Sequence, residues 1–399
     1  RAYQWCMSVE TDGDGLIENT TGGLGAIEVG GLGEGMHQDI YLAAVWMQAL
    51  LGMRQMATAM GKDELASEAD SLFRRASRTL NQDYWRPEEG HLAFGILRDG
   101  GTNDNLTAWP GTALSFSLVG EDRAEATLQH LASDMISASW GARLLSTQSD
   151  LYDPLHYNNG AVWPFMTGFV SWGQYRYRRP WAGFPLLRAL HGLTFDFGLG
   201  RHPENLSGAY YQTMDATVPH QFFATSMLVT SLARGLLGWE PNAPAREATL
   251  APQPPPSWGS LAVEKLRVGA SKLTMLQTWG SESARVTLTV QGPPVELTFV
   301  QSIPLGARDI RIEGNVERGG GHLESGLHDQ TYRLTFTLAE ESPADLAFSW
   351  RGGLAPEPPE LPLTPGAKSG GLRILDFRME GNDWVLLLEG DGGHVHDLT

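Results

Sequence analysis

The run Tyr157-Asn158-Asn159-Gly160-Ala161-Val162-Trp163-Pro164-Phe165 leads from a polar segment directly into an apolar one, and Trp109-Pro110 makes the same transition earlier in the chain. Proline suits the first turn of a helix, where its missing N–H would have had no intrahelical partner. Each Trp-Pro pair therefore marks a helix entered from a long loop, and the two together form a weak internal repeat of helical hairpins.

Working outward, Leu65, Ala69, Leu72, Ala76 and Leu80 recur at helical spacing, as do Ala124, Leu128, Leu131 and Met135. The same reading predicts helices near 38–60, 63–81, 110–119, 121–136, 160–178, 183–197 and 219–237. Gly61, Gly120 and Gly238 stand where a left-handed cap would stop a helix, and Pro110, Pro164 and Pro219 stand where one would start. Connections around Gly61, Gly120 and Arg178-Arg179-Pro180 are short, whereas 82–109, 137–159 and 198–218 are long. Antiparallel neighbours reverse direction, so this alternation places every long loop on one face, the expected functional face. No strand is expected between 38 and 136.

Beyond Glu240 the period changes. The Pro-rich stretch 241–257 reads as a linker. Val286, Leu288 and Val290, then Ile310 and Ile312, then Tyr332, Leu334 and Phe336 alternate with polar residues at period two, as half-buried strands do. The expected architecture is a helical domain over 1–240 and an antiparallel β-sandwich accessory domain over 258–399. The segment 353–371 reads as a turn-rich loop.

The chain has 399 residues, 42% hydrophobic and 19% charged, which allows substantial cores and more than one domain. A net charge of -17 repels phosphate backbones, so nucleic acid is not an expected partner. No apolar run is long enough to span a bilayer, and no membrane partner is expected. Cys6 is the single cysteine, which excludes an internal disulfide and a thiolate zinc site. The compartment stays open among cytoplasm, periplasm and exterior. The opening Arg1-Ala2-Tyr3-Gln4-Trp5-Cys6-Met7 reads as the last turns of a helix and suggests a missing upstream part.

Two acidic loops draw attention. The first holds Asp12-Gly13-Asp14-Gly15-Leu16-Ile17-Glu18-Asn19 and continues through Glu28 and Glu34 to His37-Gln38-Asp39. A calcium-binding hand needs an oxygen ligand and then glycine where Leu16 and Ile17 stand, so that motif is rejected. The plain alternative is a tight turn before a helix. The second loop holds His202-Pro203-Glu204-Asn205-Leu206-Ser207-Gly208, followed by Tyr210, Tyr211 and Pro219-His220-Gln221. Aromatic faces stack on sugar rings while amide and imidazole groups bind hydroxyls. Two carboxylates facing one pocket are what glycosidic hydrolysis requires, one as acid and one as base. No metal and no cofactor is expected, since no His/Asp/Glu spacing suggests a metal site.

The Asp-Gly-Asp-Gly-Leu segment, the helix start at His37 to Trp46, the run Tyr157 to Phe165 and Glu204-Asn205-Leu206-Ser207-Gly208 together resemble the six-hairpin glycosidases. The nearest resemblance is to bacterial amylo-alpha-1,6-glucosidase-like proteins, over about 1–240. It implies an (alpha/alpha)6 toroid, with the acid between the fifth and sixth helices and the base between the eleventh and twelfth. Counting back makes the helices read here the sixth to the twelfth, so the toroid is expected to be incomplete, with an apolar flank where the others would pack. That upstream part is an expected partner.

By the same resemblance, Glu204 matches the general base. Debranching relatives show Trp-Met-Asp where this chain has Ala26-Ile27-Glu28, which makes Glu28 the acid and Glu34 the runner-up. Asp39 resembles a residue that binds sugar hydroxyls; a helix-start charge favoured by the dipole is its plain alternative. Trp109, Tyr157, Asn158, Trp163, Tyr210, His220 and Gln221 are the other candidate pocket residues, the aromatics having helix packing as their alternative. The implied activity is an inverting glycoside hydrolase acting on glucosides or related oligosaccharides. The competing readings are a polysaccharide lyase, which would want Arg and Lys around its cleft, and a silent sugar-binding protein.

Overall fold

The computed structural model describes residues 1–316, 321–393 and 395. Its helices are α1 (Ala2–Ser8), α2 (Asn19–Gly22), α3 (Ile40–Ala59), α4 (Asp63–Asp83), α5 (Pro110–Ser115), α6 (Glu121–Ala132), α7 (Pro164–Arg176), α8 (Pro180–Asp196) and α9 (Phe222–Thr230). A π-helical turn, Ser231–Leu236, continues α9. None of the described helices is long and apolar enough to cross a membrane.

The helix readings from periodicity hold in α4, where Ala69, Leu72, Ala76 and Leu80 form the buried stripe. Pro110 and Pro164 start their helices as expected, but Pro219 lies outside α9. Gly120 does not end a helix; it precedes α6, while α5 stops at Ser115. Helices α3, α5, α7 and α9 pack in that order as a row, α4 lies against α3 and α8 against α7. Among the described residues the row does not close, since α9 has no comparable packing with α3. Its ends carry exposed apolar side chains: Phe222 (82%), Val229 and Leu232 at α9, and Val45, Met56 and Met60 at α3.

The expectation of no strand between 38 and 136 is corrected. Met36–Asp39 pairs with Gly95–Leu97, which pairs with Thr102–Asn103, and Trp85–Arg86 pairs with His91–Leu92. These ladders of two to four residues lie at the edge of α3 and in the long loop 82–109, not within the helices. They are too short to show a period. Gly95 suits its ladder because a Cβ there would strike Met36 and the Gln38 carbonyl.

The β part contains two five-stranded sheets. One runs Ser260–Val268, Ser271–Gly280, Ser283–Gln291, Ala344–Arg351, Arg308–Gly314. The other runs His322–Ser325, Gln330–Leu338, Val295–Ile303, Glu247–Leu250, Glu240–Asn242. Val286 and Leu288 of the first sheet share a core with Leu297, Phe299, Leu334 and Phe336 of the second. The expected linker 241–257 therefore needs correction. Ala248 and Leu250 bury alternate side chains, and their strand joins the second sheet in parallel, an exception to the antiparallel expectation. The expected β domain extends to 399, and residues 317–320, 394 and 396–399 of it lie outside the described residues.

Loop 353–371 fastens the two parts together. Tyr211 N donates to the Ala367 carbonyl (2.9 Å), and Ser369 Oγ donates to Asp134 (2.6 Å).

Candidate active site

The long loops meet one another. Ala108 N donates to Leu144 O, Ser149 Oγ to Asn105, and Val162 and Leu206 exchange a pair of 2.9 Å backbone bonds. The Val162 and Leu206 pair pins loop 198–218 to the run 157–165. Glu204, two residues before Leu206, thereby meets Tyr157, whose hydroxyl donates to Oε1 at 2.7 Å. Gln221 Nε2 donates to the same oxygen at 3.1 Å, from the residue before α9. Among the described residues Oε2 has no donor, so one face of the carboxylate remains free to take a proton.

The other carboxylate comes from the loop before α3. Asp39 caps α3, accepting from Leu42 N (2.7 Å), and also accepts from Ala26 N (2.9 Å) and Asn19 Nδ2 (2.8 Å). Asn19 returns the contact by accepting from Asp39 N. This staple fixes Ala26, two residues before Glu28. Asn158, fully buried, holds the next step: its Oδ1 accepts from Val29 N (3.2 Å) and its Nδ2 donates to Glu28 Oε2 (3.4 Å). Adjacent residues of one segment, Tyr157 and Asn158, thus touch Glu204 and Glu28 respectively.

Burial first, then the hydrogen bond and charge of Glu204, push the Tyr157 phenol well above its ordinary pKa, with Glu28 adding to the effect. It therefore stays protonated as a donor. Burial likewise raises the Asp39 carboxyl, against the opposing effect of its hydrogen bonds.

The remaining candidates divide. Asp39, expected to bind sugar hydroxyls, is buried and its carboxylate accepts from three protein donors, Asn19, Ala26 and Leu42. Trp109 and Trp163, also expected pocket residues, are 2% and 5% exposed. They form a packed floor, with Trp163 against Tyr157 (centroids 4.7 Å apart) and Trp109 against Trp163 and Tyr41. The Trp163 N–H is spent on the Tyr157 carbonyl. Tyr210 is half exposed, with the Lys368 ammonium over its ring. Glu34 is exposed after the turn Gly31–Gly33, and His220 is exposed beside Gln221.

Sequence reading missed Asn19 as half of the staple, and Tyr41 and Phe165, whose rings pack under Trp109 and beside Phe223. Asn19 lay in the quoted acidic segment, yet nothing local distinguished it. Two sets, Asp12 with Glu18 and His37, and Glu10 with Asp12 and Asp14, bring oxygens or nitrogens within 4.8 Å of one another. Protein donors already engage several of these groups: Glu18 accepts from Thr11 and Thr21, and Asp14 from Leu16 N and Gln38.

Residues 27–194 match the family model described as mannosylglycerate hydrolase MGH1-like glycoside hydrolase domain. That segment contains Glu28, Tyr157 and Asn158 and ends before Glu204. No curated protein matches the chain. Among solved structures, a sialidase aligns with TM-score 0.58 at 14% identity over 69% of this chain and 27% of its own. A GH78 family rhamnosidase of Bacillus sp. GL1 aligns with TM-score 0.50 at 15% identity over 70% of this chain and 27% of its own. A GH63 mannosylglycerate hydrolase from Thermus thermophilus aligns with TM-score 0.40 at 18% identity, over 48% of this chain and 44% of its own. The chain thus spans less than half the length of each. The matched segment supports a glycoside hydrolase-like domain in the helical part.

Proposed function

We propose that the chain carries an inverting glycoside hydrolase centre in which Glu204 is the general base and Glu28 the general acid. The observation that carries this reading is the Tyr157-Asn158 pair, which touches Glu204 with one residue and Glu28 with the next. In a single displacement, Glu28 protonates the leaving glycosidic oxygen while Glu204, through its free Oε2, removes a proton from the attacking water. Tyr157 and Gln221 orient Glu204, and the exposed His220 and Tyr210 are assigned to sugar hydroxyls. Glu34 is the alternative acid.

In this reading the helical row is part of an (alpha/alpha)6 toroid, catalytic over 1–240. Further helices, as a partner segment, would cover the apolar ends at Phe222 and Met56. The two five-stranded sheets form an accessory β-sandwich. The sequence resemblance favours an alpha-glucoside of the amylo-1,6 type, while the matched family description suggests mannosylglycerate. Glucose and mannose differ at the C2 hydroxyl, so a substrate panel separates them.

The test is hydrolysis of alpha-glucosides, alpha-mannosides and mannosylglycerate, with the product anomer followed by NMR. Removing a positioned proton-transfer group lowers rate by about 10²- to 10⁴-fold, so Glu204→Gln should nearly abolish turnover while sugar binding survives. An active Glu204→Gln variant would refute the base assignment. A product that keeps the substrate's configuration would refute inversion.

A further inference from the structure

The β part holds a cavity of about 880 Å³ remote in composition from the carboxylate site, since none of its lining residues comes from the helical part. Several elements converge on it: the turn after Val295–Ile303, the end of Ala344–Arg351, the turn at Glu282, the facing ends of His322–Ser325 and Gln330–Leu338, and the hairpin formed by Arg373–Glu380 and Asp383–Glu389. Its size lies within the range of small-ligand pockets, about 300 to 1,000 Å³.

Trp384 stands on the hairpin with 49% of its surface exposed. Its indole lies beside Gly306, where a Cβ would come 3.5 Å from Cζ2 and 3.2 Å from Met379 Sδ. Gly306 has φ +78°, a conformation that L side chains rarely adopt, so backbone and ring meet there without an intervening side chain. A large aromatic ring held this way without being buried is an available stacking face.

Polar groups line the same cavity as the ring. Gln330, nine-tenths buried, donates through Nε2 to the carbonyls of Pro304 and Ala307, and this anchors an amide whose Oε1 has no donor among the described residues. Glu282 is held by the Gly352 N–H at 2.7 Å. Arg351 lies 3.8 Å from Asp309, and Arg308, Asn382 and the exposed Ser325 also line the cavity. Two cations, Arg308 and Arg351, face two anions, Glu282 and Asp309, so the lining is balanced in charge. Such balance gives no net attraction for a polyanion, whereas planar donors and acceptors around an aromatic face match the hydroxyls and C–H faces of a sugar.

We propose that this cavity is a second glycan site, binding a neutral oligosaccharide across Trp384 independently of the hydrolytic centre. Gln330, Asn382 and the balanced Arg and acid pairs bind hydroxyls, and Trp384 supplies the stacking surface. The hydrolase reading could fail and this site would remain, because the two share no residues.

The experiment titrates the whole Glu204→Gln chain, which cannot turn substrate over in the hydrolase reading, with malto-, manno- and xylo-oligosaccharides. Binding is read by calorimetry and by the Trp384 indole N–H resonance, assigned by its loss in Trp384→Phe. At least one neutral oligosaccharide should shift that resonance. Trp384→Ala should weaken its binding about tenfold or more, and Trp384→Phe should keep most of the affinity. Thermal unfolding of each variant shows that it is folded. A Trp384 resonance that stays fixed at saturating concentrations of every oligosaccharide overturns the proposal. So does a folded Trp384→Ala chain with native affinity, or a resonance that responds only to an added peptide or anionic polymer.

Discussion

The hydroxyl of Tyr157 donates to Oε1 of Glu204 across 2.7 Å, and the residues lie 47 positions apart in the chain. Gln221 shares that oxygen. The bond holds the proposed base with Oε2 free. A hydrogen bond to a charged group contributes about 1.5 to 3 kcal/mol, so Tyr157→Phe should lower kcat by roughly ten- to hundredfold. KM should change much less. Steady-state kinetics of the variant check this, and an unchanged kcat would remove the orienting role.

Glu28 offers a test that depends on the leaving group. An acid is needed when the departing oxygen is a poor leaving group and hardly needed when it departs as a stable phenolate. Glu28→Gln should therefore lose about 10²- to 10⁴-fold on an oligosaccharide and little on a dinitrophenyl glycoside. Glu34→Gln should leave both rates near native. The reverse pattern between the two variants would transfer the acid role to Glu34.

Asp14 has a pH signature. Burial, opposed by hydrogen bonds from Leu16 N and Gln38, pushes its carboxyl from 3.8 up to about 6. Its folded state holds the proton more tightly than its unfolded state, so this group's contribution to stability falls as pH rises from about 4 to about 6. Asp14→Asn removes that contribution. Melting temperatures measured across pH 4 to 7 should show the variant gaining on the native chain through this window. A difference between them that does not change with pH would contradict the assignment.

Arg179 ties the helical part to the β part. Its guanidinium, 1% exposed, donates to Glu125 (2.6 Å), Gln174 (2.9 Å) and the Leu375 carbonyl, and stacks on Trp181. His328 places Nε2 2.8 Å from the same Glu125. Arg179 and His328 together hold the Glu125 carboxyl below its usual range, though burial acts against them. Arg179→Met leaves Glu125 and Asp376 short of a counter-charge and should cost about 3 to 5 kcal/mol, read from a denaturant midpoint. A cost below 1 kcal/mol, ~1 being the ceiling for most exposed pairs, would show that the cluster is not held as a buried unit.

The local elements were legible because they depend on neighbours in sequence. The stripe Ala69, Leu72, Ala76 and Leu80 and the alternation Leu334, Phe336 each carry their own period, and each is buried as that period requires. The short ladders at Met36–Asp39 and Gly95–Leu97 carry no period, and the strand Glu247–Leu250 was hidden among prolines.

Sequence alone showed a change from helical to alternating patterning beyond Glu240, though not the short strands before it or the first strands after it. It also placed Glu28, Glu204, Tyr157 and Asn158 in loops rather than on helix faces. It could not determine what each side chain would meet. Glu28 meets Asn158 across 130 positions, and Val162 meets Leu206 through backbone groups that any residue possesses. Only the folded chain turned Asp39 inward as the cap of α3 and packed Trp109 and Trp163 into a floor. The reason is physical: periodicity reports which face of an element is apolar, whereas the partner of a polar or aromatic group is chosen by how distant segments pack.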